Sequence, residues 1–446
     1  MNAPVFFRTP LPLMLLGSTL LLTACGGGDY KRFATTTPAW KSFDQIEADT
    51  GRAYTMAHTI AADGASWRAF NDNEHGRILR KVDSAGIELW RQPLTNGVTH
   101  IALSADGAVL VFSDNSIAAY NDAGAPQWQQ SPFSSDHEIM DVEVTSDGTV
   151  LVGAEQPDYS GLSTIAALNA DGSVRWNYAA GDEGDSLISL QLLEGEDGDT
   201  LAVESIYDDH RYSGISLRAL DDTGTLKSRV VVNTLADIKQ RHVWRHADRI
   251  TLHDNYSIQQ LGEDGTLHWI FNPANDVSGS LRCIDTTDHR FACAYQTKEM
   301  ESVVAWLDEN GQVTQSKTFK LDQPIDLVSD STGRLLLVEQ RWPVFSTEGN
   351  FIELYILRLV PPFFGTARLH LLTEAGTISR TINLLSGRAE PGIPGSWIAE
   401  HYSTNVDHYR GARFTPAGLI VAGMMEDFSI ENSLLSRSFV SAYAVE

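Results

Sequence analysis

The chain has 446 residues, 42% of them hydrophobic and 20% charged, with 33 Lys and Arg against 58 Asp and Glu. That is an ordinary globular composition, enough for one large domain or two to three small ones. A net charge of −25 argues against DNA, RNA and anionic lipid surfaces as partners.

The N-terminus stands apart. Residues 1–24 carry one charge, Arg8, and then the apolar run "LPLMLLGSTLLL". The run is short for a membrane span and fits a secretory signal. It ends in "LLTACGGG". Leu22-Thr23-Ala24-Cys25 resembles the lipobox of bacterial lipoproteins, a plain signal peptide with an incidental Cys being the alternative. The resemblance implies that Cys25 is acylated (palmitate or a similar chain) and becomes the mature N-terminus. Two or three acyl chains on one residue anchor firmly where one does not. Gly26, in place of an Asp, implies sorting to the outer membrane with the protein facing the periplasm. The expected division is a signal at 1–24, a flexible tether at 25–36 and one folded domain at 37–446. Loss of residues 1–24 removes one Arg and no acid, leaving 32 basic against 58 acidic residues, a charge of −26.

From residue 80 onward one pattern returns. "KVDSAGIELW", "AYNDAGAPQW", "ALNADGSVRW", "ALDDTGTLKS", "QLGEDGTLHW", "WLDENGQVTQ" and "LLTEAGTISR" align on Gly86, Gly124, Gly172, Gly224, Gly265, Gly311 and Gly376. Three residues before the glycine, five copies have Asp or Asn; four residues after it, four copies have Trp. Glycine tolerates positive φ in a tight turn, and Asp or Asn can bond the turn backbone. Alternation after the turn predicts a half-buried strand, and a Trp there needs a partner for its N–H.

A second set of turns interleaves with the first, at 63–64, 106–107, 147–148, 197–198, 247–248, 288–289, 332–333 and 417–418. Each precedes a hydrophobic strand. The unit is therefore four strands with two turns, repeated mostly every 38 to 52 residues, the signature of propeller blades. Within each unit the interleaved turn comes first and the Gly-aligned turn second, so there are eight first turns and seven second turns. The terminal "FVSAYAVE" lacks its last partner strand, and "TTPAWKSF" supplies one, with Trp40 placed as in the repeats. The expected fold is all-β: an eight-bladed β-propeller of four-stranded antiparallel blades. Its last blade joins residues of about 386–446 to an N-terminal strand near 37–43.

The "A-L-N/D-x-D/T-G-x-x-x-W" pattern resembles the quinoprotein-type (PQQ-like) propeller repeat. That repeat occurs in pyrroloquinoline-quinone dehydrogenases and in BamB-type lipoproteins of outer-membrane barrel assembly. Lipobox, length and blade count make this chain more similar to the second group, which implies a non-catalytic scaffold.

The remaining cysteines, Cys283 and Cys293, flank a short hairpin. A cross-strand disulfide is expected, with two buried thiols as the alternative. No nucleophile elbow, H-E-x-x-H motif, phosphate loop or adjacent Cys pair occurs. No catalytic residue, metal site or cofactor is therefore expected. "EGEDGDT" reads as a solvated acidic turn, and His242, His246, His401 and His408 read as rim residues.

In an up-and-down blade both turn sets lie at one end, and the middle loops and blade-to-blade links lie at the other. "EQPDYSGLS", "YDDHRYSG", "QRWPVFSTEGN" and "HYSTNVDHYRG" read as middle loops of recognition type. Pro361, Pro362, Phe363 and Phe364, in an insert of blade seven, form a candidate partner-binding knob; a hairpin packed on its own blade is the alternative. The expected function is a monomeric, outer-membrane-anchored periplasmic scaffold binding an envelope protein, with no nucleic-acid partner. A polysaccharide- or ligand-binding propeller is the alternative, followed by a PQQ-dependent oxidoreductase.

Overall fold

In the computed structural model the strands form eight antiparallel blades arranged as a propeller. The described residues are 38–445 except 44–52, 73–74, 105, 156–162, 181–185, 196–197, 209–210, 233–242, 274–279, 287–289, 322, 341–366, 385–404, 417 and 428–434. All of them fall within the unit Thr35–Glu446.

Blade 1 comprises Ala53–Ile60, Ser66–Asp72, Gly76–Val82 and Glu88–Leu94, numbered here from the innermost strand outward. Blades 2 to 7 repeat that order with first strands at His100–Leu103, Glu138–Val144, Ser186–Glu194, Val243–His246, Arg282–Asp285 and Gln323–Ser329. Blade 8 takes Asn405–Thr415, Gly418–Asp427 and Leu435–Tyr443 from the C-terminus. Its fourth strand is Trp40–Phe43, paired antiparallel with residues Phe439 to Ala442. The two chain ends thus close the ring, and the last blade presents no unpaired third strand over that stretch.

Burial follows strand position. In blade 2 the second strand, Val109–Phe112, is buried at every residue, while the fourth, Pro126–Gln130, alternates between exposed and half-buried. The continuous apolar middle strands are pressed by neighbouring blades on both faces. Cores accordingly lie between blades: Leu110, Phe112, Val150, Val152 and Leu168 pack across blades 2 and 3, and Leu336, Val338, Leu419 and Val421 across blades 7 and 8.

Each second hairpin is a tight turn with glycine in the left-handed region, at φ +82° for Gly172, followed by a one-residue register shift. This is a turn closed by a glycine bulge. The Asp or Asn three residues earlier has a structural task. Asp83, Asn121, Asp221 and Asp308 each accept hydrogen bonds at Oδ1 from two backbone N–H groups of their own turn.

The same glycines serve a second purpose. A Cβ at Gly172 would lie 2.5 Å from the Trp128 ring of the preceding blade, because the indole lies flat on the turn. Trp40, Trp90, Trp176 and Trp269 cover Gly86, Gly124, Gly224 and Gly311 in the same way. The indole N–H of Trp40, Trp90, Trp128 and Trp269 donates to the carbonyl two residues before the covered glycine: Ser84, Asp122, Ala170 and Glu309, at 2.8 to 2.9 Å. Each Trp therefore latches its blade to the next. All five supply apolar coverage, and Trp40, Trp90, Trp128 and Trp269 add the hydrogen bond.

Two segments read as loops are strands instead. "HYSTNVDHYRG" contributes residues 405–411 to the first strand of blade 8. "YDDHRYSG" is mostly paired strand, with Asp208 opposite Arg211, because blade 4 extends its second and third strands to Thr200–Asp208 and Arg211–Leu220. Long ladders satisfy the backbone of both segments, which a polar composition alone does not reveal.

Candidate interaction face and inner strands

The middle hairpins lie at the end opposite the two turn sets. In blade 5 the segment Asp254–Ser257 turns tightly: Asp254 N donates to the Ser257 carbonyl at 2.8 Å, and Asp254 Oδ1 accepts from Ser257 N at 2.6 Å. The turn holds Tyr256 outward, 65% exposed. In blade 6 Thr297 N donates to the Glu301 carbonyl at 2.7 Å, and Met300 stands at the tip, 63% exposed with φ +62°. A left-handed Met is strained relative to Gly or Asn at such a position. Two neighbouring blades thus each carry a large, partly apolar side chain at the tip of a short hairpin. Neither residue stood out in the sequence. The only local signal was an apolar residue inside an otherwise polar turn, "DNYS" and "TKEMES".

The first strands line the inside of the ring, and in blades 3 and 4 they bring carboxylates together. Asp141 Oδ2 accepts the backbone N–H of Leu192 at 2.7 Å across the blade junction. Glu194 accepts from Ser146, N–H at 2.9 Å and hydroxyl at 2.6 Å. Glu143 lies between these ties. Burial, reinforced by the charges of Asp141 and Glu194, pushes its carboxyl up to about 7. Glu155 is raised to about 6 by burial and by Glu138, its direct cross-strand neighbour. Asp147, on the turn, moves the other way, to about 2. The Thr145 hydroxyl and the Thr149 backbone N–H hold its ionised form. Among the described residues no three His, Cys, Asp or Glu side chains converge as a metal-binding group.

Further ties link inner strands around the ring. His246 Nε2 lies 2.8 Å from Asp285 Oδ2 of blade 6, so this histidine is engaged between blades. Ser329 of blade 7 donates to the Asp285 carbonyl at 3.1 Å. A buried network joins blades 3 and 4. Arg218 bonds Glu204 at 3.1 Å and the Tyr178 hydroxyl at 2.8 Å, and Ser163 donates to Glu204 at 2.5 Å.

Cys283 and Cys293 face each other directly across the first two strands of blade 6, with sulfurs joined at 2.10 Å and Cα atoms 4.1 Å apart. Both are buried beside Phe291 and Leu307. Cys25, His242, His401 and the Pro361, Pro362, Phe363, Phe364 segment lie outside the described residues, as does the side chain of His408.

Residues 48–196, which span blades 1 to 3 and enter blade 4, match the family described as outer membrane protein assembly factor BamB. Over that stretch the repeat is similar to that of BamB. The BamB-like stretch includes three of the Trp-covered turns, at Gly86, Gly124 and Gly172. Among solved structures, BamB from Moraxella catarrhalis aligns over 64% of this chain and 82% of its own, at 18% identity and a TM-score of 0.44. A europium-containing methanol dehydrogenase aligns over 91% of this chain and 93% of its own, at 10% identity and a TM-score of 0.53. At that identity the dehydrogenase shares the propeller fold and nothing more follows from it. A protein of unknown function from Bacteroides caccae aligns over 61% of this chain and 95% of its own, at 14% identity and a TM-score of 0.36. No curated protein matches the chain.

Proposed function

We propose that this chain is a lipid-anchored envelope protein that acts as a non-catalytic interaction scaffold, docking a protein partner through its middle-hairpin face. The observation that carries the reading is the BamB match over residues 48–196 of this propeller. Among the described residues the turn glycines, the Asp and Asn caps and the Trp latches hold the ring together. The non-repeating Tyr256 and Met300 are large, partly apolar side chains that project from the opposite face. Aromatic and Met side chains of that kind are enriched at protein interfaces.

The "LTAC" motif supports acylation of Cys25 and placement at the outer membrane, facing the periplasm. The Cys283–Cys293 pair suits the same oxidising compartment. The Pro361, Pro362, Phe363 and Phe364 segment is a second candidate contact on the same reading.

Two experiments test it. Membrane fractionation of wild type and Cys25→Ser should move the protein from the membrane to the soluble fraction; retention in the membrane counts against the anchor. Pull-down from envelope extracts should lose its specific partner on Tyr256→Ser with Met300→Gly, or on the Phe363/Phe364 double alanine change. Absence of any specific partner for the wild type ends the scaffold reading.

A further inference from the structure

The inner strands of blades 3 and 4 approach each other over a glycine. Gly153, directly opposite Asp141 in blade 3, leaves a space that Leu190 of blade 4 enters; a Cβ at Gly153 would collide with the Leu190 side chain. Leu151, directly opposite Glu143, packs in the same seam with Leu190, Leu192 and Ala202. Residues opposite each other on paired strands share a face, as do residues two apart on one strand. Asp141 and Glu143 therefore both stand on the face that blade 4 covers, in a seam otherwise lined by leucine and alanine.

Carboxylates clamp this seam from both sides. Asp141 of blade 3 accepts the Leu192 N–H of blade 4, and Glu194 of blade 4 accepts the N–H and hydroxyl of Ser146 of blade 3. Each clamp brings a negative charge to the seam, and Glu143 lies near both. Burial, with Asp141 and Glu194 adding repulsion, pushes Glu143 up to about 7. Burial raises Asp141 as well, against the pull of the Leu192 and Val142 N–H groups and of His100 on the first strand of blade 2. The two carboxyls thus compete for a proton and titrate as a pair. The other charges around them have partners of their own. Arg245 of blade 5 reaches the Glu194 carbonyl at 3.3 Å but pairs with Glu263, Asp147 on the following turn faces Arg175, and Glu155 lies at the far end of the second strand, opposite Glu138.

We propose that Glu143 is a proton-operated wedge at the inner end of the junction between blades 3 and 4. With its proton, both carboxylate clamps close; without it, three negative charges share one apolar seam and the clamps loosen. The sign follows from the direction of the shift. Below about pH 6 the proton is held; as pH rises through about 7 it leaves to solvent, and the closed junction loses stability relative to an opened one in which the carboxyl returns toward its ordinary 4.5. The wedge is independent of the scaffold reading, since its test needs no partner.

Amide exchange of the full chain, read residue by residue and corrected for the intrinsic pH dependence of exchange, follows both clamps, because the Leu192 and Ser146 amides are themselves the donors. Opening at these two amides should rise about tenfold from pH 6 to pH 8, the factor for a carboxyl that moves from about 7 to about 4.5 on opening. The Gly124 and Gly311 amides, which donate within their own turns to Asn121 and Asp308, should show no such rise. Glu143→Gln should hold both clamps closed at pH 8. Asp141→Asn keeps an acceptor for the Leu192 N–H but removes one charge, so it should shift the midpoint of the rise at Ser146 to lower pH; it decides the matter where Glu143→Gln does not fold. Wild-type opening at Leu192 and Ser146 that stays constant between pH 6 and pH 8 overturns the proposal. So does a rise retained in folded Glu143→Gln, or a midpoint unmoved in Asp141→Asn.

Discussion

Gly172 illustrates how much one position can be asked to do. It must adopt φ +82°, and it must leave room for the Trp128 ring. Either demand alone disfavours a side chain; together they forbid one. Gly172→Ala should cost about 2 kcal/mol or more, read by denaturant unfolding, since left-handed backbone alone costs 1–2 kcal/mol. The same change at Gly107, which has φ +84° but no atom within 4 Å of the added Cβ, should cost about 1 kcal/mol and no more than 2. Equal losses at the two sites would show that the indole contributes nothing.

Glu143 makes a prediction of a different kind. Its carboxyl titrates at about 7 in the folded chain and near its ordinary 4.5 in the unfolded one. Between those values the unfolded chain binds fewer protons, so stability falls as pH rises through that window and stays lower above it. Glu143→Gln should remove this slope. The variant should match wild type at pH 4 and exceed it at pH 8 by something of order 1 kcal/mol, a figure held down by partial exposure to solvent. A thermal unfolding series across pH 4 to 8 reads it directly. A wild-type slope retained in Glu143→Gln would place the titrating group elsewhere.

At the scale of elements, the strand Trp40–Phe43 is short but tied from both sides. It pairs with blade 8, Lys41 sits over Phe439, Trp40 donates to the Ser84 carbonyl of blade 1, and Ser42 accepts from Arg80 of blade 1. Trp40→Ala should cost about 2–3 kcal/mol, below the range for a wholly buried Trp because this one is half-buried. The loss should appear as faster exchange in blades 8 and 1 rather than uniformly. The hairpin closed by Cys283 and Cys293 makes a second element-scale prediction. Peptide mapping of protein taken from its native compartment should recover the two cysteines linked, and Cys283→Ser with Cys293→Ser should lower stability by about 2–3 kcal/mol. Two free thiols in that mapping would contradict the pairing.

Elements were also where the sequence was most and least legible. Turn glycines announce hairpins because positive φ leaves few other choices, and counting them yields blade number and ring closure. The Trp beside each turn was readable as a buried residue needing a partner. That its partner is the next blade's glycine was not, since the two lie in different repeats and only the ring brings them together. "HYSTNVDHYRG" reads as a recognition loop by composition, yet its second half is the first strand of blade 8, where neighbouring strands rather than local propensity fix the conformation. The carboxylates of blades 3 and 4 and the tips at Tyr256 and Met300 carry no motif; only register and exposure single them out.

For the whole molecule, one ring has two unlike ends. The turn end repeats from blade to blade and is spent on holding the ring together. The middle-hairpin end does not repeat, and there Tyr256 and Met300 project. On the proposed function, the middle-hairpin end docks an envelope protein. Site-specific photo-crosslinking in cells tests it most directly, with the crosslinker at Tyr256 or Met300 on one end and at Asp171 or Asp222 on the other. A discrete protein adduct is expected from Tyr256 and Met300 and none from the two turn positions. Adducts only from the turn positions, or none from either end, would contradict it.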